Sequence, residues 1–318
     1  MWFDGIRQPN TIYVANTSRG KDSTAMLRAI QLMGWPLDMI CSVDVWATDT
    51  IPAELPPMVA FKDEYDKKVL EWLGIPVTRL CATKRERERE SIAARQKLER
   101  KFPNLRIPDA VRQLVPIGSQ TIGTLGFPNQ ACRWCTGELK NAASTASLCG
   151  RVLGVKTDSR GDSWTPLSNL PQHEGQKINI VHYIGIAADE PKRIAKHMPK
   201  KDKVLPLVQI GWDEDLCGLE AKYMDMLAPT YTDGQLRDGC WFCHNQGVGR
   251  LRSLRRNYPD LWALLLKWDA DSPVTFHADG HTVQDFDRRF ALEDEGLVDP
   301  KEPWKWSKLN EELNYRWF

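Results

Sequence analysis

The 318-residue sequence has no apolar run of 18 residues, and its start, Met1-Trp2-Phe3-Asp4, has no basic head and no apolar middle. It is therefore expected to be cytoplasmic, with no membrane partner. Neither sign of charge is in excess: 43 basic residues face 42 acidic ones, which removes any global field and leaves contact with nucleic acid or membrane to a local patch. Eight cysteines are too sparse to scaffold a chain this long, and paired cysteines in a reducing compartment are more often metal or cluster ligands. No internal repeat is present, and no glycine is followed, after four intervening residues, by Gly-Lys-Ser/Thr, which excludes a Walker loop. What remains is ample length for one large or two modest domains with a buried core.

What the chain does have is a strand, turn and helix pattern at residues 11 to 34. An apolar run Thr11-Ile12-Tyr13-Val14-Ala15-Asn16 leads through Ser18-Arg19-Gly20-Lys21-Asp22-Ser23 into Thr24 to Ile30 at helical spacing. Gly20 is expected to make the tight turn, leaving the first N–H groups of the helix to converge on an anion. Lys21 adds a mobile charge, and the hydroxyls of Ser18, Ser23 and Thr24 add donors suited to phosphate. The bland alternative is an ordinary turn capped by Ser18 or Asp22. Strands are expected at Leu37 to Val45 and Val77 to Cys81, with a helix over 52 to 73 stopped by Gly74-Ile75-Pro76. That alternation predicts an α/β fold, a Rossmann-like parallel sheet with helices on both faces.

The run from Lys84 to Glu90, leading into Ile92 to Phe102, alternates in charge and reads as a solvated helix face. Residues 103 to 131 read as a loop delivering Cys132 to Cys135, residues 137 to 146 as helix, and the polar stretch 156 to 177 as a surface excursion. Further strands are expected at Ile178 to Ile186 and Val204 to Ile210. After the first comes the charged turn Asp189-Glu190-Pro191-Lys192-Arg193, and after the second an acidic helix start, Trp212-Asp213-Glu214-Asp215.

Two Cys-x-x-Cys units, Cys132/Cys135 and Cys240/Cys243, lie 104 residues apart and can together supply four thiolates to zinc or to a [4Fe-4S] cluster. Four core thiols or a reversible disulfide is the alternative. Cys41, Cys81 and Cys149 read as core packing, Cys217 as a possible extra ligand, and His244 as a hydrogen-bonding neighbour. Arg250, Arg252, Arg255 and Arg256 follow, a candidate phosphate or nucleic-acid contact, or else a solvated face with Leu251 and Leu254 turned inward. From Pro259 on, with Trp262, Trp268, Trp304, Trp306 and Trp317, the chain reads as helices packed on the core or as a partner surface. The expected domains are 1–250 and a helical C-terminal extension, 251–318.

Ser-x-Gly-Lys-Asp-Ser after a first strand resembles the PP-loop of the N-type ATP pyrophosphatases and their sulfonucleotide (PAPS/APS) reductase relatives, with Arg19 where that family has glycine. Further stretches are similar to the reductases in order: Cys132-Arg133-Trp134-Cys135 with Leu139-Lys140; Gly185 to Glu190 with Arg193; Leu205-Pro206-Leu207 with Trp212; and Pro229 to Cys240. The resemblance implies an adenine nucleotide alpha hydrolase-like fold. It places ATP and Mg²⁺ at Ser18, Arg19, Gly20, Lys21, Asp22, Ser23, Thr24, Asp189, Glu190 and Arg193, with Lys21, Asp22 and Ser23 catalytic. It also places a [4Fe-4S] centre on Cys132, Cys135, Cys240 and Cys243, zinc being the alternative. The pattern departs from the family where two residues separate the first cysteines, where Ala187 stands for arginine, and where no cysteine follows Cys243 to act as the reductase nucleophile. The implied activity is thus closer to the ATP pyrophosphatases of DNA phosphorothioation systems and phages, which adenylate an acceptor for sulfur transfer, with a cysteine desulfurase as sulfur donor. A sulfonucleotide reductase using a partner thiol, a nucleotide-binding adaptor without turnover, and a tRNA 2-thiocytidine type of thiolase are the alternatives.

Overall fold

The computed structural model describes residues 3–48, 50–80, 127, 135, 156–157, 163–164, 177–198, 202–232, 239–272, 274–277 and 280–301. These fall into two compact units. The first runs to Cys240 and includes Cys135; the second starts at Trp241 and includes Phe127, so the division lies ten residues ahead of the expected boundary at 250.

In the first unit β1 (Thr11–Asn16) is the central strand, and its unbroken apolar run is what a parallel strand covered on both faces requires. It pairs in parallel with β2 (Met39–Val43) on one side and β6 (Lys177–Ile184) on the other. Beyond them lie β3 (Val77–Leu80) and β7 (Lys203–Val204), giving a five-stranded parallel sheet in the order β3-β2-β1-β6-β7. The start of β6 also carries an antiparallel ribbon, β4 (Lys156–Thr157) and β5 (Ser163–Trp164), within the stretch expected to be a surface excursion.

Helix α1 (Lys21–Leu32) presses Ala25, Met26, Leu27, Ala29 and Ile30 onto one face of the sheet, against Tyr13, Ala15, Ile40 and Tyr183. Helix α2 (Pro56–Leu73) adds Tyr65 and Val69 to that face. It starts later than the expected residue 52, because Pro56 and Pro57 suit a first turn where N–H groups have no helical partner, and it ends at Gly74, which takes φ +70°. The opposite face carries Ile12, Val14, Met39, Cys41 and Leu80, a cluster made of strand side chains alone among the described residues. This is an α/β fold of Rossmann-like type.

After β6 come α3 (Pro191–His197), β7, α4 (Pro206–Ile210), α5 (Glu214–Tyr223) and α6 (Pro229–Thr232). The expected strand over 204 to 210 is corrected: only Lys203–Val204 is extended, and the rest is α4. Pro206 cannot donate to a ladder but fits the first helical position, and Gly211 at φ +73° closes the helix. The readings of residues 84 to 102 and 137 to 146 lie outside the described residues. Among the described residues no helix is long and apolar enough to cross a membrane.

The second unit holds α7 (Val248–Asn257), α8 (Pro259–Asp271) and α9 (Val283–Asp294). Trp241 stacks on Trp268 at 5.2 Å between centroids, Phe290 meets the rings of Trp262 and Phe286, and Leu251, Leu254 and Leu265 are buried. The arginines of α7 do not form a bare basic face. Arg252 pairs with Glu293, Arg255 with Asp287 and Asp294, and Arg256 with Asp294. Glu293, its side chain fully buried, also accepts from Arg289 Nε at 2.8 Å. The expected nucleic-acid contact is thereby corrected for these three residues: the charge that would meet a phosphate is neutralised by α9.

Burial opposes the charge of Glu293, but hydrogen bonds from Arg252 and Arg289 outweigh it and hold its pKa below the ordinary glutamate value of 4.5. The stabilisation is therefore present above that value and lost as pH falls through the lower folded pKa. Glu293→Gln is expected to cost on the order of 3 kcal/mol at neutral pH by leaving two arginines short of a partner. In thermal melts the gap to wild type should narrow in acid. A gap of equal size at every pH would mean that Glu293 acts through packing alone.

Candidate functional site

The connection after β1 leads toward β2 and β3, whereas the chain leaving β6 goes on to β7 on the opposite side. The two therefore part at the carboxyl ends of neighbouring strands, which is where open parallel sheets form their ligand crevice. Gly185, one residue past β6, lets that loop touch the start of α1. A Cβ there would lie 2.9 Å from the carbonyl oxygen of Asp22 and 3.1 Å from Ser23 Cα, both backbone atoms.

The turn before α1 is built differently from the sequence expectation. Arg19 takes the left-handed conformation, φ +63°, while Gly20 is an ordinary extended N-cap at φ −80°, ψ 168°. Arg19 is 1% exposed. Its Nε and Nη2 grip both carboxylate oxygens of Asp66 at 2.8 and 2.9 Å, and Nη1 donates to Ser42 Oγ at 2.7 Å with Asp44 at 3.6 Å. The guanidinium thus neither points outward nor offers itself to a phosphate, which corrects its assignment as a nucleotide ligand. The hydroxyls of Ser23 and Thr24 are likewise turned away from a ligand, since both are buried and donate to the Gly20 carbonyl at 2.9 and 3.1 Å, bracing the turn, and of Ser23 it is the main-chain N–H that stays open. Ser18 alone of the three hydroxyl residues is exposed. α1 has no side-chain cap, and the N–H groups of Lys21, Asp22 and Ser23 have no partner among the described residues.

Lys21 lies half-buried between acids. Its Nζ donates to Asp22 Oδ1 at 2.8 Å and to the Glu214 carbonyl at 3.0 Å, with Glu214 Oε2 at 3.3 Å. Burial opposes its charge, yet the hydrogen bond to Asp22 and the charges of Asp22 and Glu214 prevail and raise its pKa. Burial also raises the Asp22 carboxyl pKa, against the pull of Lys21 and with repulsion from Glu214 and Glu190. Carboxylate oxygens of Asp22, Glu190 and Glu214 lie within 4.8 Å of one another, the one such group among the described residues, and hard oxygen donors so placed suit Mg²⁺.

Of the other expected site residues, Glu190 accepts from Ala187 N–H at 3.3 Å and pairs with the half-exposed Arg193 at 2.6 Å. Asp189 turns to α5 and caps it by accepting from Glu214 N–H at 3.1 Å. Glu214 is the residue that sequence reasoning missed. Its acidic neighbours mark a helix start, and Asp213 does cap α5 by accepting from Leu216 N–H, but nothing local announces that this turn abuts Lys21.

Cys132 lies outside the described residues. Cys135 and Cys240 belong to the first unit and Cys243 to the second, and all three are half-buried thiols. Cys41 and Cys217 are different: both are fully buried, and burial pushes each pKa up to about 12, so they stay protonated and are poor metal ligands. Cys217, read as a possible extra ligand, packs in the hydrophobic core of the first unit.

If the crevice depends on the contact at Gly185, Gly185→Ala should force β6 and α1 apart, with a loss of about 1–3 kcal/mol by overpacking. Gly218→Ala on α5 is the control. There an added Cβ meets only Lys21 Cδ at 3.9 Å, so the helix should gain about 0.5–1 kcal/mol instead. Equal melting temperatures for the two variants would remove the argument from close approach. No protein-family model, curated protein or solved structure matches the chain, and what it offers toward a function is this convergence of Lys21, three carboxylates and an uncapped helix start.

Proposed function

We propose that the chain is a PP-loop ATP pyrophosphatase of the sulfonucleotide reductase-like, adenine nucleotide alpha hydrolase-like type, which adenylates an acceptor for sulfur transfer. One observation carries the reading: the N–H groups of Lys21, Asp22 and Ser23, the Lys21 ammonium and the Asp22/Glu190/Glu214 carboxylates all meet at the β1/β6 crevice. Phosphate oxygens fit the first two and a divalent cation fits the third. Mg²⁺ held by those carboxylates would neutralise charge on the departing pyrophosphate. The N–H groups orient the phosphates, and Lys21 stabilises the charge that develops as the acceptor oxygen attacks and pyrophosphate leaves. In the arrangement described, Asp22 and Glu214 hold the lysine, which keeps it charged and beside its future ligand.

Cys132, Cys135, Cys240 and Cys243 would hold the [4Fe-4S] cluster. Among the described thiols, the half-buried Cys135, Cys240 and Cys243 suit ligation, whereas Cys41 and Cys217 do not. Zinc is the rival for four thiolates. An adaptor that binds nucleotide without turnover is favoured by one finding, that the Ser23 and Thr24 hydroxyls are committed to the turn and not to a ligand.

Calorimetry with Mg²⁺-ATP should show Lys21→Ala binding ten- to a hundredfold more weakly, the equivalent of roughly 1.5–3 kcal/mol for a lost charged hydrogen bond. Equal affinity would remove the nucleotide site. Pyrophosphate release on adding a nucleic-acid acceptor and a sulfur donor marks the enzyme, and tight binding without release marks the adaptor. Protein purified without oxygen should carry about four iron and four sulfide per chain, lost when Cys135 or Cys240 is replaced and kept when Cys41 is. About one zinc and no sulfide would exclude the cluster.

A further inference from the structure

Residues 191 to 203 hold six cations, Lys192, Arg193, Lys196, Lys200, Lys201 and Lys203, against the single acid Asp202, in a chain whose net charge is +1. The remainder of the protein is therefore slightly acidic, and this short stretch is its sharpest local concentration of positive charge outside the ion-paired helix α7. Helix α3, which opens the stretch, has no fully buried residue, and only Ile194 and His197 are partly covered. Lys192 and Lys196 are exposed and stand one helical turn apart, on one side of the helix. Among the described residues neither is in ion-pair contact with a carboxylate, whereas Arg252, Arg255 and Arg256 of α7 all are. Lys192 is two residues from Glu190, one of the three carboxylates at the crevice.

We propose that α3 is a docking surface for the phosphodiester backbone of a double-stranded nucleic acid, with Lys192 and Lys196 as its contacts. Two exposed ammonium groups one turn apart, with no carboxylate partner among the described residues, complement a row of phosphates, and each neutralised phosphate releases counterions. The pairing favours a duplex over a single strand. No Trp, Tyr or Phe occurs from residue 184 to residue 211, so α3 and its flanking segments offer no aromatic side chain on which an unpaired base would stack. Backbone contacts position without reading sequence, so the surface would hold a duplex beside the crevice and leave the choice of acceptor atom to the site. The inference rests on the reading of that site as one acting on nucleic acid, although docking itself needs no nucleotide.

The full chain is titrated into a fluorescent DNA duplex of about 20 base pairs over a range of salt, and anisotropy is recorded. Wild type should bind with affinity that falls linearly in the logarithm of salt. Lys192→Glu/Lys196→Glu should bind roughly ten- to a hundredfold more weakly at low salt, with the salt slope reduced by about 1.8, the share of two phosphate contacts. Lys67→Glu/Lys222→Glu makes the same change in net charge on exposed positions of α2 and α5 and should bind as wild type does. Both double variants should keep wild-type affinity for Mg²⁺-ATP, which shows that they are folded. Equal duplex binding by wild type and Lys192→Glu/Lys196→Glu overturns the proposal, as does tighter binding of the matching single strand or equal competition by polyglutamate. Lys21→Ala separates the two readings. Loss of ATP with duplex binding intact supports both, while intact ATP affinity in Lys21→Ala removes the nucleotide site and leaves the docking surface standing on its own data.

Discussion

The approach of Gly185 to the first turn of α1 sets the geometry on which the site depends. Backbone meets backbone there, so no rotamer change can absorb an added atom. The contact fixes the loop after β6 against the helix after β1, and with it the separation of Glu190 from Asp22. The tie from Ala188 N–H to the Trp212 carbonyl, 2.8 Å, carries the same constraint on to α5 and so to Glu214. Three carboxylates from three separate segments are thereby held close enough to repel one another, and Lys21 is the charge that makes the arrangement tolerable. A site of this kind stores electrostatic free energy that a cation and a phosphate ligand together would release.

The order of the first unit was legible in the sequence because its signals are local. The apolar run Thr11 to Ala15 is too continuous for an alternating, half-exposed strand, and Gly74 and Pro191 mark a helix end and a helix start by what their backbones permit. Pro206 should have been read in the same way, since a proline in the middle of Val204 to Ile210 argues against a central strand. What could not be read was pairing across the chain. Glu214 reaches Lys21 over 193 residues, and the arginines of α7 meet acids about 30 to 40 residues further on. A charge run in sequence looks the same whether it faces water, a phosphate or a neighbouring helix, and only the fold decides which.

The cysteines illustrate the same limit from the other side. Cys41 and Cys217 were separable from Cys135, Cys240 and Cys243 only in part by their surroundings in sequence. Burial divides them sharply, because removing a thiol from water raises its pKa and with it the cost of the thiolate that a metal needs.

Arg19 has a consequence for how the protein reaches its native state. In most tight turns at the head of a helix, glycine supplies the left-handed backbone from local freedom, and the turn can form early and alone. Here a residue that disfavours φ +63° occupies the position, and what holds it there is Asp66 on α2 and Ser42 on β2, 47 and 23 residues away. The turn is thus held in its conformation by contacts of long range, made when α2 and β2 close around the guanidinium. A fragment ending before residue 66 would keep the motif and lose the carboxylate that holds its geometry, so the loop that most resembles an autonomous signature is not one.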